Sequence, residues 1–358
     1  MRDITVLLTA VGAPGAPSTI RSLRANGERR IRIVGTDAQA SAIGLHLSDA
    51  GIVVPHGEDP GYVQALEKVC REHHPDVLLP LSTAELLPIA RHPKVWKQAG
   101  VVPLISDAEA LEWVLDKGRL MQKTRAAGIP TPSFRRVRDL EGFRDAISEF
   151  GYPHVPVCFK PPRSRGSRGF RLLDPSMDRF RLFMEEKPSN TVTTYEEACE
   201  ILRSARPFPE LLVMEVLPGT EYSVDLLARR GEAILTVPRS RDRVREGIAV
   251  AGTILDPSSL PGEIARQVCR LTGLDYNINI QLKDSQEGSP AILEVNPRVA
   301  GTLVMAHGAG VNMPYLAIKL ALGETFDPPS PKPGTRMIRH WDELFLSPEG
   351  QAFRIGER

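Results

Sequence analysis

Four stretches of the chain carry side chains whose types and spacing suit phosphate and metal chemistry. Gln281 lies in the apolar run NINIQLK, and Glu294-Val-Asn296-Pro-Arg298 closes the next run, AILEVN. If both runs are strands, side chains two apart share a face, so Glu294 and Asn296 point the same way. Amide and carboxylate oxygens so arranged suit Mg²⁺ held jointly with substrate phosphates. Arg298 follows at once, where it can hold a developing acyl phosphate; the other reading is a polar sheet edge. Lys160 ends VPVCFK and opens a loop, 161–169, containing Ser164, Gly166, Ser167, Gly169 and three arginines. Flexible backbone amides and cations can fold over a polyphosphate there, or form a mobile surface loop. Glu215-Val216-Leu217 ends another apolar run, with Glu221 six residues after Glu215. That pair suits a purine edge and ribose hydroxyls, or a hairpin with solvated acids. Arg239, Arg241, Arg243 and Arg245 alternate, so a regular strand would put all four on one face, able to bind carboxylate or phosphate bidentately or to be solvated.

The elements that must position these groups are legible from periodicity. Residues 4–11, 31–37, 52–55, 76–81 and 101–105 are strand-like and alternate with helical patterns near 18–26 and 60–73, which predicts βαβ units on a parallel sheet. The Gly12-Ala-Pro-Gly15 turn after the first strand is either a structural βα turn or a ligand-facing loop; it lacks GxGxxG spacing and its prolines remove amides. One helix is predicted from a cap at Ser106-Asp107 through about Ala127, containing Asp116-Lys117. Further strands are expected at 134–137, 155–160, 171–173, 211–217, 221–229, 232–239, 277–283 and 291–296, with helices at 139–150, 261–272 and 312–322. The proline-rich 327–334 segment reads as a stiff linker, followed by a returning strand and a tail with Arg339, His340 and Trp341. His307 is a pocket residue or a structural histidine, and Asp225 a strand residue satisfied by hydrogen bonds.

The four ordered motifs, with Lys117 in an Asp-Lys helix, Lys160 in FKPxxxxGSxG style, Glu215 with Glu221, and Gln281 with Glu294-x-Asn296-Pro-Arg298, together resemble the ATP-grasp superfamily, in particular its carbamoyl-phosphate-synthase-like branch. The resemblance covers nearly the whole chain. It implies an α/β protein: a pre-ATP-grasp Rossmann-like domain (1–108), then an ATP-grasp fold of two α+β subdomains (109–210 with the lid, 211–330 with the nucleotide and metal site) and a tail (331–358). By the same resemblance, Lys117, Lys160 and the 164–169 loop contact ATP phosphates. Glu215 and the backbone of Val216 and Leu217 contact adenine, and Glu221 the ribose. Gln281, Glu294 and Asn296 bind Mg²⁺, with Mn²⁺ as the alternative ion, and Arg298 holds an acyl-phosphate intermediate. The implied activity is ATP-dependent, ADP-forming joining of a carboxylate to an amine. Carbamoyl phosphate synthase has a second arginine shortly after Asn-Pro-Arg, where this chain has Val299-Ala-Gly301-Thr302. The small Gly301-Thr302 turn makes room for a larger carboxylate than bicarbonate. Bicarbonate activation and a nucleotide-binding sensor without ligase activity remain the alternatives.

Composition sets the outer bounds. The chain has 358 residues, 42% apolar and 25% charged, with a formal net charge of +1, as in ordinary globular proteins. Ten lysines and 35 arginines are offset by 44 acids spread along the chain, which argues against a nucleic-acid surface. Cys70, Cys158, Cys199 and Cys269 are far apart without a CxxC pair, so neither a disulfide framework nor a zinc site is expected, and they read as core thiols. No apolar run is long enough to span a membrane and the first residues do not read as a signal peptide, so a cytoplasmic protein acting on small molecules is expected. A homodimer is expected by analogy with the superfamily.

Overall fold

In the computed structural model, which describes residues 1–164, 166, 168–185, 191–245 and 247–356, the first hundred residues form the parallel sheet their alternation predicts. Its strands lie in the order Ala50–Val53, Ile31–Asp37, Ile4–Thr9, Val77–Pro80, Val102–Pro103. Parallel strands covered on both faces are apolar at successive positions. Val6, Leu8 and Ile33 accordingly pack with Ile20 and Leu23 of helix Ala16–Arg24. Leu7, Val34 and Leu78 join Tyr62, Leu66 and Trp96 in a second cluster.

The chain divides into two compact units. The first comprises Met1–Glu112, Glu221–Leu282 and Val295–Arg358. Beyond the parallel sheet it contains the antiparallel pair Glu221–Arg229 and Glu232–Ser240, in which Ser223 lies opposite Arg239 and Asp225 opposite Val237. Strand order continues from Glu221–Arg229 to Tyr276–Asp284 and Pro290–Asn296, and both of these strands run on into the other unit. Arg243–Arg245, Ile248–Thr253 and Arg336–Ile338 make a small antiparallel sheet, so the segment after the proline-rich linker does return as a strand.

The second unit, Trp113–Thr220 with Lys283–Glu294, is built on an antiparallel sheet in the order Phe134–Val137, Leu211–Glu215, Val157–Lys160, Arg171–Leu173. One face carries Val157, Phe159, Leu211 and Val213 against helices Leu140–Glu149 and Tyr195–Ser204. The alternate residues Cys158, Leu212 and Met214 cluster with Met121. All four cysteines are free and buried, as core thiols should be. Among the described residues no helix is long and apolar enough to cross a membrane.

A cavity of about 260 Å³ opens where the parallel strands end, lined among others by Gly12, Asp37, His56, Ser82 and Glu85. Gly12 N–H donates to Asp37 at 2.7 Å, so the glycine turn is tied to the neighbouring strand. Glu85 is buried and accepts from Thr9 Oγ1 at 2.8 Å and from Tyr62 OH at 2.7 Å. Burial pushes its carboxyl up to about 7, against the pull of those hydrogen bonds.

Two outcomes follow from this packing. Phe143 is fully buried, its ring edge-on to Phe159 at 5.1 Å, so Phe143→Ala should lower the stability of the second unit by about 3–5 kcal/mol in urea unfolding. A loss under ~1 kcal/mol would contradict the packing. For Glu85, a folded pKa of about 7 against an ordinary 4.5 means the folded state keeps a proton that the unfolded state releases. Its stabilising contribution is therefore full at low pH, is lost as pH rises toward 7, and stays lost above it. The melting-temperature difference, Glu85→Gln minus wild type, should rise by a few degrees between about pH 5 and 8. A difference that stays flat over that range would show that no buried charge forms there.

Candidate functional site

In the second unit, Asp116 decides where the key helix starts. Its side chain accepts from Arg119 N–H at 3.0 Å, an N-cap bond, and it is paired with Arg136. The single helix expected over about 106–127 is therefore broken into Ala108–Val114 and Lys117–Ala126, because a capping residue takes extended backbone angles. Burial works to raise the Asp116 pKa, but the Arg119 N–H and the Arg136 guanidinium outweigh it and hold the carboxyl below its ordinary value. Lys117, now the first helical residue, donates its backbone N–H to Pro162 O at 2.9 Å. The helix start is thereby fastened to the loop that follows Lys160.

This fastening brings Lys117, Lys160, Ser164 and Glu294 together. Lys117 Nζ donates to Ser164 O at 2.8 Å and lies 3.5 Å from Glu294 Oε2. Burial pushes the Lys160 ammonium below its ordinary pKa; Glu294 opposes the shift and Lys117 adds to it. Two cations thus face one carboxylate. Gly166 and Gly169 have φ of +54° and +76°, values that favour glycine. Ser167 lies outside the described residues. Glu215 Oε1 accepts from Ser133 N–H at 2.6 Å, which anchors the strand end where Val216 and buried Leu217 follow.

In the first unit, Glu221 is held by Arg241, whose Nε lies 2.8 Å from its Oε1. Gln281 is half-buried on its strand. Arg298 donates to Asn296 Oδ1 at 3.3 Å and to Val299 O at 2.8 Å. Gln281, Glu294 and Asn296 offer one carboxylate and two amide oxygens. Among the described residues no group of three or more His, Cys, Asp or Glu could hold a metal. Oxygen donors of these kinds suit a hard cation that draws its other ligands from phosphate oxygens and water, and do not suit a soft metal.

The arginine face predicted over 239–245 does not form. The strand ends at Ser240, whose hydroxyl donates to Asp242 at 2.5 Å, and a separate short strand, Arg243–Arg245, begins beyond. Arg239 is fully buried, Arg241 turns to Glu221, and Arg243 and Arg245 are exposed, Arg245 over the Trp341 ring. Arg239 Nε donates to Asp225 Oδ2 at 2.8 Å, and Asn279 Nδ2 donates to Asp225 Oδ1 at 2.6 Å and to Ser223 Oγ at 2.7 Å. Asn279 and Ser223 were not singled out from sequence. The available signal was the alternation Asn277, Asn279, Gln281 in an otherwise apolar strand.

Gly301 accepts from Arg339 Nη2 at 2.8 Å. Gly15 packs so closely on it that a Cβ at position 15 would lie 2.8 Å from Gly301 Cα. The half-buried His307 makes a 2.9 Å contact with Ser22 Oγ, a structural role.

Comparison with known proteins agrees with these features. Residues 207–341 match a family described as ATP-grasp in the biosynthetic pathway with Ter operon, and residues 6–105 match the PylC-like N-terminal domain. Carnosine synthase 1 of Gallus gallus is 33% identical over 159 residues, which are 41% of this chain and 17% of that protein. The carbamoyl phosphate synthase large chain of Vibrio cholerae is 22% identical over 325 residues, 86% of this chain and 28% of that protein. The chain therefore spans under a third of the length of either relative. The biotin carboxylase domain of Hydrogenobacter thermophilus 2-oxoglutarate carboxylase, solved as a dimer with MgADP and bicarbonate, shares the fold. Its TM-score is 0.65 at 18% identity, over 91% of this chain and 71% of that one. The motifs and both family matches agree: residues 207–341 are similar to an ATP-grasp family and residues 6–105 to the PylC-like N-terminal domain, in a fold shared with the biotin carboxylase domain.

Proposed function

We propose that this protein is an ATP-dependent, ADP-forming ligase that activates a carboxylate as an acyl phosphate and joins it to an amine. The observation that carries the reading is the grouping of Lys117 and Lys160 beside Glu294, with Lys117 Nζ 3.5 Å from the carboxylate. Two partly buried ammonium groups against one acid leave a positive excess suited to phosphate oxygens. In this reading Lys117, Lys160, Ser164 and the glycines of the 161–169 loop hold the ATP phosphates. Glu215, Val216 and Leu217 take the adenine, and Glu221 the ribose.

Gln281, Glu294 and Asn296 would hold Mg²⁺, or Mn²⁺ in its place. Mg-ATP, when bound, supplies the phosphoryl group that turns a carboxylate oxygen into a leaving group. Arg298, steadied by Asn296 and Val299, neutralises charge on that activated acid. Arg239 and Gly301 lie on the substrate side, and the loop after Lys160 excludes water that would hydrolyse the intermediate. Relatives named for the synthesis of carnosine and of carbamoyl phosphate support the reading, and the dimeric carboxylase domain, solved with bicarbonate, supports a homodimer acting on small molecules; a cytoplasmic location belongs to the same proposal. In this reading the functional domains are 1–108, 109–210 and 211–330 with a tail at 331–358, while the compact units exchange segments near 112, 220, 282 and 294.

The test is Mg-dependent ADP release from ATP, with pooled amino acids and, separately, with bicarbonate and ammonia. Stimulation by the amino-acid pool is expected, and Glu294→Gln should reduce it by at least about 100-fold while the variant still melts cooperatively. Turnover supported only by bicarbonate and ammonia would replace the larger carboxylate with bicarbonate. Glu294→Gln turnover within about twofold of wild type would overturn the assignment of Glu294.

A further inference from the structure

The parallel sheet ends in a cavity to which the ligase reading gives no role. Strand Ile4–Thr9 is flanked by Ile31–Asp37 on one side and Val77–Pro80 on the other. The connections therefore leave it in opposite directions and open a crevice beyond its carboxyl end, the usual place for a ligand in such sheets. The cavity there, of about 260 Å³, is lined by residues that follow four strands, among them Gly12, Asp37, His56, Ser82 and Glu85. That volume is below the ~300–1,000 Å³ of pockets for drug-sized ligands, so the occupant is a small molecule or one end of one.

The common occupant of such a crevice is an anion on a helix N-terminus, and both helix starts here are closed to one. Helix Ala16–Arg24 begins against Gly301, where a Cβ on Gly15 would lie 2.8 Å from Gly301 Cα, and it has a proline in its first two positions. Helix Thr83–Ala90 spends its first amides on its own cap: Ser82 Oγ accepts from Ala84 N–H at 3.3 Å, and Glu85 Oε2 from Ser82 N–H at 3.4 Å. What lines the cavity is negative. Asp37 accepts backbone N–H groups from Gly12 at 2.7 Å and Gln39 at 2.9 Å, neutral donors that leave its charge in place. Burial, with a smaller push from the charge of Asp37, holds the Glu85 carboxyl above its ordinary value. Gly12 and Gly57 let the backbone close on the two acids: a Cβ would lie 2.9 Å from Asp37 Oδ2 at the first and 2.8 Å from Glu85 Cγ at the second. Among the described residues no lysine or arginine lines the cavity, and the exposed His56 is the one other titratable group on it.

We propose that this cavity binds the protonated amino group of a small molecule, an ammonium ion held by Asp37 and Glu85. An ammonium donates three hydrogen bonds, and a carboxylate oxygen that already accepts one keeps a second lone pair to receive another. It also supplies the positive charge that the lining lacks, whereas an anion would meet like charge and an uncharged ligand would leave the two acids uncompensated. The wall made by Gly12 and Ala13 runs on to Gly15, which packs on Gly301, and Val11 and Ala16 share a core cluster with Val299 and Ala300, the residues that follow Arg298. The amino group therefore belongs either to a substrate of the ligase or to a separate amine effector bound beside that segment. Only this choice rests on the ligase reading; the site itself stands on the cavity and its lining.

Calorimetry on the full chain tests the site without nucleotide or Mg²⁺, so its outcome is separate from that of the ligase reading. Ethanolamine and ethylenediamine are the probes, with acetate and ethylene glycol as anionic and uncharged controls. Saturable binding of at least one amine, and of neither control, is expected. Asp37→Asn keeps an oxygen for the Gly12 N–H and loses the charge, while Ala38→Leu, at an exposed position on the lining, takes up space and keeps both acids. Each should weaken amine binding by at least about 10-fold while the variant still melts cooperatively. Where the chain turns over MgATP with pooled amino acids, a higher amino-acid requirement for half-maximal ADP release in Asp37→Asn identifies the occupant as a substrate, and an unchanged requirement identifies a separate amine. No saturable amine binding below ~50 mM, a control bound as tightly as the amines, or affinity within about twofold of wild type in both variants, would overturn the site.

Discussion

The placement of Asp116 at the head of helix Lys117–Ala126 is the constraint on which the lysine cluster of the second unit depends. The carboxylate is buried, and a buried charge is tolerated only when its oxygens are taken. Here a backbone N–H and the Arg136 guanidinium both bond to Oδ1, and Arg163 Nε lies 3.8 Å from Oδ2. Once Asp116 is fixed, Lys117 must start the helix. Its backbone can then reach Pro162, and its side chain meets Ser164 and Glu294. Loss of the cap would unwind the first turn, moving the lysine before it altered the sheet beneath.

The buried polar group of the first unit follows a different logic. Asp225, Asn279, Ser223 and Arg239 form a buried polar group on adjacent strands, with both Asp225 oxygens occupied. A buried ion pair adds little net stability, because desolvation offsets most of the attraction. Hydrophobic residues of similar volume would serve a purely structural sheet as well or better. Retaining four polar side chains there makes sense when their geometry is needed, and the Asp225 bond to Nε fixes the direction in which the Arg239 fork points.

Much of this was legible in the sequence because it rests on short-range pattern. Alternation in ITVLLTAV and its successors gave the parallel sheet, and the order of Lys117, Lys160, Glu215 and Glu294 gave the superfamily. Two readings failed for identifiable reasons. Asp116 looked like an ordinary helical residue until its capping bond with Arg119 interrupted the helix. The arginine repeat over 239–245 kept a period of two, but Ser240 and Asp242 bond to each other and end the strand before that period can act. What could not be read were partners far apart in the chain. Glu85 with Thr9, Asn279 with Asp225 and Arg339 with Gly301 are separated by 76, 54 and 38 positions, and nothing local marks them.

Each unit concentrates positive charge locally. The whole chain carries a formal net charge of only +1, so long-range attraction of anions is weak. Cations are instead in local excess: Lys117 and Lys160 face Glu294 in one unit, and in the other Arg339 lies in the field of Arg239 and Arg21. In both places burial already depresses the pKa of one cation, Lys160 or Arg339, and a bound oxyanion would raise it again. A partly buried pair is also screened by salt far less than an exposed one. In the ligase reading proposed above, recognition depends on short-range geometry and desolvation, with steering from a distance contributing little.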